Sequence, residues 1–468
     1  MKKLLSLISI LIISLSAYSQ DSLVYYLEIA GKNNPVVLQK YAEYQAALKK
    51  VPQVGSLPDP ELSTGIFLSP MELVAGKQVA DIRLMQMFPW FGVLKSAKDE
   101  MSLMAKAKFE SFRDAKVQVF YDVQRNWYEL HKLKQNIRIS EKNIELLRSI
   151  ESLAIVRFKA APSGNNNSPA VNPLSLSSGK GSSGGLSGMN KMGSNPENSG
   201  SSQAGSPMSV SPMGSSSGGL GLSDVYRIQI EVSELQNNID LFNNQFITVS
   251  AQFNSFLNRS QKTMVTLPDT LMAVSFQPSL LIISDSTLKN NPMLGMLRFE
   301  NQSLEARKQM VTKMSYPMVG IGLNYSLINK NDMSVSPMNG KDMVMPMVTV
   351  TLPIYRKKYK AMREEADFLK SANSQNFKST ANSLQTEYYQ ALQLYQDAQR
   401  RIKLYTGQFQ LASKSLNILI KSFGSSGSTL TDILRIRQQM LDFEYKQIEA
   451  VADNKIAIAL IKKLSCEE

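Results

Sequence analysis

The chain has 468 residues, a formal net charge of +13, and only one His and one Cys. A single cysteine excludes a disulfide scaffold and a multi-cysteine zinc site, and a single histidine argues against His-based triads and His-rich metal clusters. The basic residues are spread along helical patterns, so the positive charge does not predict nucleic-acid binding. The composition predicts a non-enzymatic, mostly helical, exported protein without a cofactor.

The first 19 residues have the pattern of a secretory signal peptide. Lys2 and Lys3 supply positive charge, residues 4–15 form an almost unbroken apolar run, and Ala17 and Ser19 are small residues at the positions that signal peptidase reads. We expect cleavage after Ser19. An uncleaved anchor helix is the alternative, although the run is shorter than the ~20 apolar residues that a span needs.

The rest of the chain contains an internal repeat. The tetrapeptide Lys32–Pro35 recurs unchanged as Lys289–Pro292, and the same order of elements follows each copy. The pattern predicts helix–strand–strand–long helix–helix twice, in a first repeat at 20–260 and a second at 286–468, joined by a linker at 261–285. The expected strands are at about 61–69, 79–88, 318–328 and 344–353.

The predicted strands of the second repeat alternate between apolar and small or polar residues. In residues 319–327 every odd position is large and apolar, and residues 348–352 alternate in the same way. Such a period of two is typical of a strand with lipid on one face and water on the other. A half-buried strand of a soluble sheet shows the same pattern, so the residues alone leave both interpretations open.

Each predicted strand pair is followed by a very long helical pattern. The first runs from about Gly92 to Phe158, which corresponds to roughly 100 Å of helix. Val123, Leu130 and Ile144 belong to a seven-residue apolar repeat, which predicts packing against neighbouring helices. A dimeric coiled-coil rod is the alternative, but it leaves the strand pairs unexplained.

Residues 161–222 differ from the rest, since 44 of these 62 residues are Ser, Gly, Asn or Pro. This composition predicts disorder. The segment holds four methionines whose thioethers are candidate ligands for Cu(I) or Ag(I): Met189, Met192, Met208 and Met213. A second group lies in and after the loop of the second strand pair: Met333, Met338, Met343, Met345 and Met347. The alternative is a methionine-rich chain in which these positions have no common role.

Taken together, these features resemble the TolC family of outer-membrane efflux proteins over nearly all of the mature chain. The resemblance is carried by the helix starts at Pro35 and Pro292, by the strand pairs that end at prolines, and by two motifs before the last helix of each repeat. The clearest strand end is 88–92, Phe-Pro-Trp-Phe-Gly, and the two helix motifs are at 224–229 and 432–435.

The resemblance implies a fold that is mainly α with a transmembrane β-barrel. A homotrimer would close twelve strands in outer-membrane lipid, and its long helices would form an α-helical barrel across the periplasm. The family also implies a periplasmic adaptor protein and an inner-membrane pump, of the proton-driven RND type, as partners.

The resemblance also implies residues at the periplasmic aperture. Asp224 and Asp432 match acidic positions that line the closed pore, and Phe423 matches a tip aromatic. Arg227 and Arg435 follow their aspartates by three residues, within reach on one helix face. Ser428 and Arg435 depart from the best-known pattern of gate ion pairs. Each aspartate could instead be an ordinary helix cap, or serve both roles.

We therefore interpret the chain as a passive exit duct of a tripartite efflux system, with Cu(I) or Ag(I) favoured over organic drugs. A drug-efflux or type I secretion duct shares the fold and stays open. A periplasmic coiled-coil adaptor or structural protein is the alternative from another class.

Overall fold

The computed structural model describes residues 22–160, 222–269, 271, 289–424 and 429–466. Helices of the first repeat are α1 (Ser22–Asn33), α2 (Pro35–Gly55), α3 (Val93–Ala160) and α4 (Leu222–Phe256), and its strands are β1 (Glu61–Leu73) and β2 (Gly76–Phe88). The second repeat contains α5 (Pro292–Met314), β3 (Met318–Asn329), β4 (Met343–Thr351), α6 (Arg356–Gly424) and α7 (Leu430–Ser465). The predicted order of elements in two tandem repeats is confirmed. The predicted signal peptide, the Ser/Gly segment up to residue 221 and most of the inter-repeat linker lie outside the described residues.

The repeated tetrapeptide starts a helix in the same way in both halves. Asn34 and Asn291 are the N-caps of α2 and α5, both with φ −63° and ψ 126°. The Asn34 side chain accepts hydrogen bonds from the backbone N–H groups of Val36 and Val37, and the Asn291 side chain accepts one from Met293. Each cap is followed by a proline, whose fixed φ suits the first helical position and whose missing N–H costs nothing there.

The four strands form one antiparallel sheet in the order β1-β2-β3-β4. The β2–β3 pairing, from Lys77 opposite Asn329 to Phe88 opposite Val319, joins the hairpin of the first repeat to that of the second. The first hairpin is longer than the prediction of 61–69 and 79–88. Pro70 did not end β1, because the strand lies at the edge of the sheet within this chain, and its register shifts between Ile66 and Met71.

The long helices pack against the shorter ones of the same repeat. One core contains Val123, Trp127 and Leu130 of α3 with Tyr26 of α1 and Phe253 of α4. The other contains side chains of α5, α6 and α7: Leu294, Leu384, Tyr388, Ala391, Tyr395, Ala457, Ile461 and Leu464. None of the described helices combines the length and the apolar character that crossing a membrane requires.

The chain divides into two compact units, and the smaller one spans Glu145–Ser233. Its described residues are the end of α3 and the start of α4. Within it Leu147, Ala154 and Ile228 are buried, and Gln229 Nε2 donates a hydrogen bond to Glu151 Oε1 at 2.8 Å. The larger unit contains the sheet and all of α5, α6 and α7.

Candidate functional site

One face of β3 is apolar and exposed along its whole length. Every second residue is a large apolar side chain that is 36–59% exposed: Val319, Ile321, Leu323, Tyr325 and Leu327. The residues between them are small or polar, and Asn324 and Ser326 are each 8% exposed. The alternation predicted from the sequence is therefore present in the structure, with the apolar side turned to the surroundings.

The strand register extends this apolar face across the sheet. Leu84 lies opposite both Leu62 and Leu323, and Ile321 lies opposite Val348. Further exposed apolar residues of β1, β2 and β4 share the face, with exposures of 40–80%: Leu62, Ile66, Ile82, Leu84, Val344, Val348 and Val350. A contiguous apolar surface of this extent indicates contact with lipid or with another protein.

The opposite face of the same sheet carries polar and small side chains together with methionines of β2 and β4. Asn324 lies opposite Arg83 and Ser326 lies opposite Asp81, while Gln78 Nε2 donates a hydrogen bond to Ser326 Oγ at 3.3 Å. A sheet that is apolar on one side and polar on the other suits lipid on the first face and water on the second.

Aromatic side chains gather at the end of the sheet nearest the long helices. The rings of Trp90 and Tyr316 stack with centroids 5.4 Å apart, and Phe91 is 88% exposed. A groove of about 480 Å³ beside them is lined by Leu57, Phe88, Trp90, Leu94 and Val319, among others. Amphipathic rings at the border of an apolar surface are typical of a membrane–water interface.

The other end of the sheet is closed by polar loop contacts. In the loop between β3 and β4, Gly340 N donates to the carbonyl of Ala75 at 2.9 Å, and Ser334 Oγ donates to the carbonyl of Val74 at 2.8 Å. Asp342 accepts hydrogen bonds from Tyr325 Oη at 2.5 Å and from Ile328 N at 3.1 Å. The sheet thus has an aromatic end beside the helices and a hydrogen-bonded polar end away from them.

Asp432 lies in the first turn of α7 and takes part in a capping box. Thr429 is the N-cap, and its Oγ1 accepts a hydrogen bond from Asp432 N at 3.3 Å. Asp432 Oδ2 in turn accepts from Thr429 N at 3.4 Å and from Thr429 Oγ1 at 2.6 Å. A carboxylate here is favoured by the helix dipole. The N-cap itself is therefore Thr429, and Asp432 is its partner at the third helical position.

Asp224 has a similar place in α4, within the smaller unit. It lies in the first turn of that helix, is partly exposed, and is followed by exposed Tyr226 and Arg227. In the larger unit Phe423 is partly exposed near the end of α6, and Arg435 is exposed on α7. Ser428 and the methionines at 189, 192, 208 and 213 lie outside the described residues. The aperture assignment therefore stays a prediction.

Buried ionisable groups belong to helix packing. His131 of α3 is only 2% exposed, and burial, with the positive charge of Lys134, lowers the pKa of its imidazole to about 4. The Trp127 ring lies 6.4 Å from it. Within the described ranges, no group of three or more His, Cys, Asp or Glu side chains could hold a metal ion.

Comparison with known proteins gives a consistent fold. No protein-family model matches the sequence, and no curated protein sequence matches it. Among solved structures, the chain is similar to VceC, an outer membrane protein of Vibrio cholerae, with a TM-score of 0.67 and 11% identity over 96% of this chain and 97% of that one.

Two further structures show the same likeness. CusC, described for its folding and transmembrane channel formation, gives a TM-score of 0.69 at 10% identity, covering 96% of this chain and 92% of that one. The outer-membrane channel OprN gives 0.68 at 12% identity, covering 95% and 90%. The chain therefore has the fold of TolC-type outer-membrane channels, which confirms the predicted fold of the single chain, mainly helical with a small antiparallel sheet.

Proposed function

We propose that this protein is the outer-membrane channel of a tripartite efflux system and acts as a passive exit duct. The observation that carries the proposal is the two-faced sheet. Its outer face is apolar and exposed across all four strands, and its inner face carries charged, polar and small side chains together with methionines. Lipid accounts for the first face and a water-filled bore for the second.

The edges of the sheet need partner strands, and the resemblance to TolC-type channels implies that a trimer supplies them. In one chain β1 and β4 each pair with a strand on one side only. Unpaired backbone N–H and C=O groups are costly in hydrocarbon, so the edges need partners. Three copies, with β4 of each beside β1 of the next, would close twelve strands and leave no edge.

The long helices support a periplasmic extension. The 68 residues of α3 and the 69 of α6 each correspond to roughly 100 Å of helix at 1.5 Å per residue. The aromatic residues near Trp90 mark the membrane border on the helix side of the sheet. We infer that the helices extend into the periplasm toward an adaptor protein and an inner-membrane pump of the proton-driven RND type, which would supply the energy.

The aperture is assigned to the helix ends. The resemblance implies that Asp224 and Asp432 of three chains contribute six carboxylates to the aperture, and that Arg227, Arg435 and Phe423 are aperture residues as well. Such a set of carboxylates favours cations and is sensitive to salt, because exposed charges are screened within about a Debye length. The capping box of Asp432 does not conflict with this role, since a carboxylate can cap a helix and still face a pore.

Planar-bilayer recording of the purified full chain tests the proposal. We expect a heat-modifiable oligomer in detergent and cation-preferring conductance. Asp224→Ala/Asp432→Ala is expected to raise conductance and weaken cation preference, whereas Asp397→Ala/Asp442→Ala, which removes two aspartates paired along exposed helix faces, is the matched control.

The outcomes separate the function from the gate. A soluble, detergent-independent monomer without conductance would overturn the channel and favour a periplasmic adaptor or structural protein. Normal wild-type conductance with no change in the Asp224/Asp432 variant would overturn only the gate.

The cargo is proposed from the methionines. Thioethers are soft ligands that prefer Cu(I) and, by the same softness, Ag(I), so we propose monovalent copper or silver as the exported substrate. Export of organic drugs or of secreted proteins is the alternative for the same fold.

A further inference from the structure

Three methionines of β4 lie on the inner, polar face of the sheet. Met343, Met345 and Met347 alternate with residues of the outer face such as Val344 and Val348. They lie opposite Ser326, Asn324 and Gly322 of β3, respectively. These three methionines are therefore on the same face as Asn324 and Ser326, opposite to the apolar outer face.

Two methionines of β2 lie on the same face. Met85 is opposite Gly322 and Met87 is opposite Gly320. Gly322 thus lies between Met85 on one side and Met347 on the other. Two strand spacings separate these two methionine backbones, which is about 10 Å.

The glycines of β3 leave room for the sulfur atoms. A Cβ atom at residue 320 would stand 2.5 Å from Met87 Sδ and 3.2 Å from Met85 Sδ, and one at residue 322 would stand 3.0 Å from Met85 Sδ. Both sulfurs therefore occupy space above β3 that any other residue would fill. Because methionine has three rotatable side-chain bonds, side chains from β2 and β4 can approach each other over this glycine pair.

The surroundings do not resemble a methionine-filled core. Met343 and Met345 are 44% and 46% exposed, and their neighbours on the same face include Asn324, Asp81 and Arg83. Under the proposed function this face lines the water-filled bore. Met85 and Met87 cover the glycines of β3, whereas Met343 and Met345 are exposed, and five thioethers on one wet face are suitable ligands for a soft cation.

We propose that Met85, Met87, Met343, Met345 and Met347 form a thioether site for Cu(I) or Ag(I) on the wall of the bore. The inference rests on the proposed function, since it needs this face to be the inner one, and it deepens that function by placing the cargo within the barrel. Neutral thioether ligands also discriminate against hard cations such as Mg²⁺, which prefer oxygen ligands.

The first experiment is Ag⁺ titration of the purified full chain by calorimetry and in bilayers. Met85→Leu/Met87→Leu/Met343→Leu/Met345→Leu/Met347→Leu removes the sulfurs with little change in volume. We expect wild-type current to fall when Ag⁺ is added and the variant current to be unaffected, with Ag⁺ affinity of the sheet sites reduced about tenfold or more. If the wild type and the variant bind Ag⁺ equally and lose the same share of current when Ag⁺ is added, the proposed site is wrong.

A second experiment needs only the wild-type chain. Peroxide converts exposed methionine to its sulfoxide, and mass spectrometry locates each product. Ag⁺ is expected to protect the five sheet methionines from oxidation. Met264, which is 91% exposed and lies outside the sheet, is the control and should stay unprotected. Oxidation of the five at the same rate with and without Ag⁺ would overturn the site. Absence of any wild-type conductance would instead overturn the channel itself, so the two failures are distinguishable.

Discussion

Single side chains at the helix starts account for the repeat in physical terms. Asn34 and Asn291 cap their helices with identical backbone angles, and the Asn34 amide also donates to the carbonyl of Phe256 at 2.8 Å. A cap of this kind contributes about 1 kcal/mol. The Asn-Pro sequence of the tetrapeptide thus starts a new helix at the same place in both repeats.

His131 gives a prediction about pH. Its imidazole has a folded pKa of about 4, below its ordinary value of 6.5, because burial disfavours the charged form. The groups facing it are Lys134, Asp269 and the backbone of Pro268. The unfolded chain therefore binds a proton that the folded chain does not between pH 6.5 and 4. Stability should decrease by up to about 3 kcal/mol as pH falls through this range.

The measurement is unfolding against pH, followed by tryptophan fluorescence, since Trp127 lies beside His131. In His131→Gln the decrease between pH 6.5 and 4 should be smaller. His131 is the only histidine of the chain. Burial raises the pKa values of three carboxyl groups, those of Glu100, Glu300 and Glu444. Their protonation stabilises the folded chain as pH falls, which opposes the effect of His131. If stability decreases as steeply with falling pH in His131→Gln as in the wild type, His131 is not the cause of the decrease.

At the scale of elements, adjacent residues of β4 test the two faces of the sheet. Val348 is 73% exposed on the apolar face, whereas Thr349 lies on the inner face opposite Gly320. Val348→Arg places a charge against hydrocarbon and should cost about 2 kcal/mol per chain, while Thr349→Arg places the same charge in water.

The yield of heat-modifiable oligomer in outer membranes measures the difference. We expect it to fall for Val348→Arg and to stay near the wild-type level for Thr349→Arg. Equal yields from the two variants would mean that the faces do not differ in their surroundings.

The strands show how far the sequence could predict the elements. The period of two in β3 was clear, because every odd residue from Val319 to Leu327 is apolar. The outer end of β1 was missed, since Pro70 and the polar residues near it look like a turn, while an edge strand with a shifted register accepts them. The long helix predicted from about Gly92 to Phe158 is observed as Val93–Ala160, so its ends were predicted to within two residues.

The candidate site was less predictable from the sequence. Met343, Met345 and Met347 formed a visible group, but Met85 and Met87 lie in the other repeat, and only the strand register brings them to the same face. The capping box of Thr429 and Asp432 could have been found, because Thr followed by an acidic residue three positions later is its sequence signature.

For the whole molecule, the Ser/Gly-rich segment allows a test in cells. Deletion of residues 165–220 is expected to lower copper tolerance, because the methionines of that segment are predicted to bind copper. Assembly should stay intact, because the second repeat has only residues 425–429 between the equivalent helices α6 and α7. Survival on copper plates and oligomer yield are the two measurements.

A matched variant distinguishes the loss of the thioethers from the loss of the segment itself. Met189→Leu, Met192→Leu, Met208→Leu and Met213→Leu combined in the full-length chain keep the segment and remove its thioethers. If tolerance matches the wild type in both variants, the methionines of this segment have no role in export.

The pairing of β2 with β3 has a consequence for how the proposed barrel assembles. This pairing joins the two hairpins of one polypeptide. A trimer has six hairpins and therefore six junctions between neighbouring hairpins, three of which are formed within a chain. Those three do not depend on protein concentration, because the paired strands are covalently linked. A half-length ancestor would have to gather six molecules by collision. Covalent duplication reduces that number to three, and so makes ring closure far less dependent on how much protein reaches the membrane.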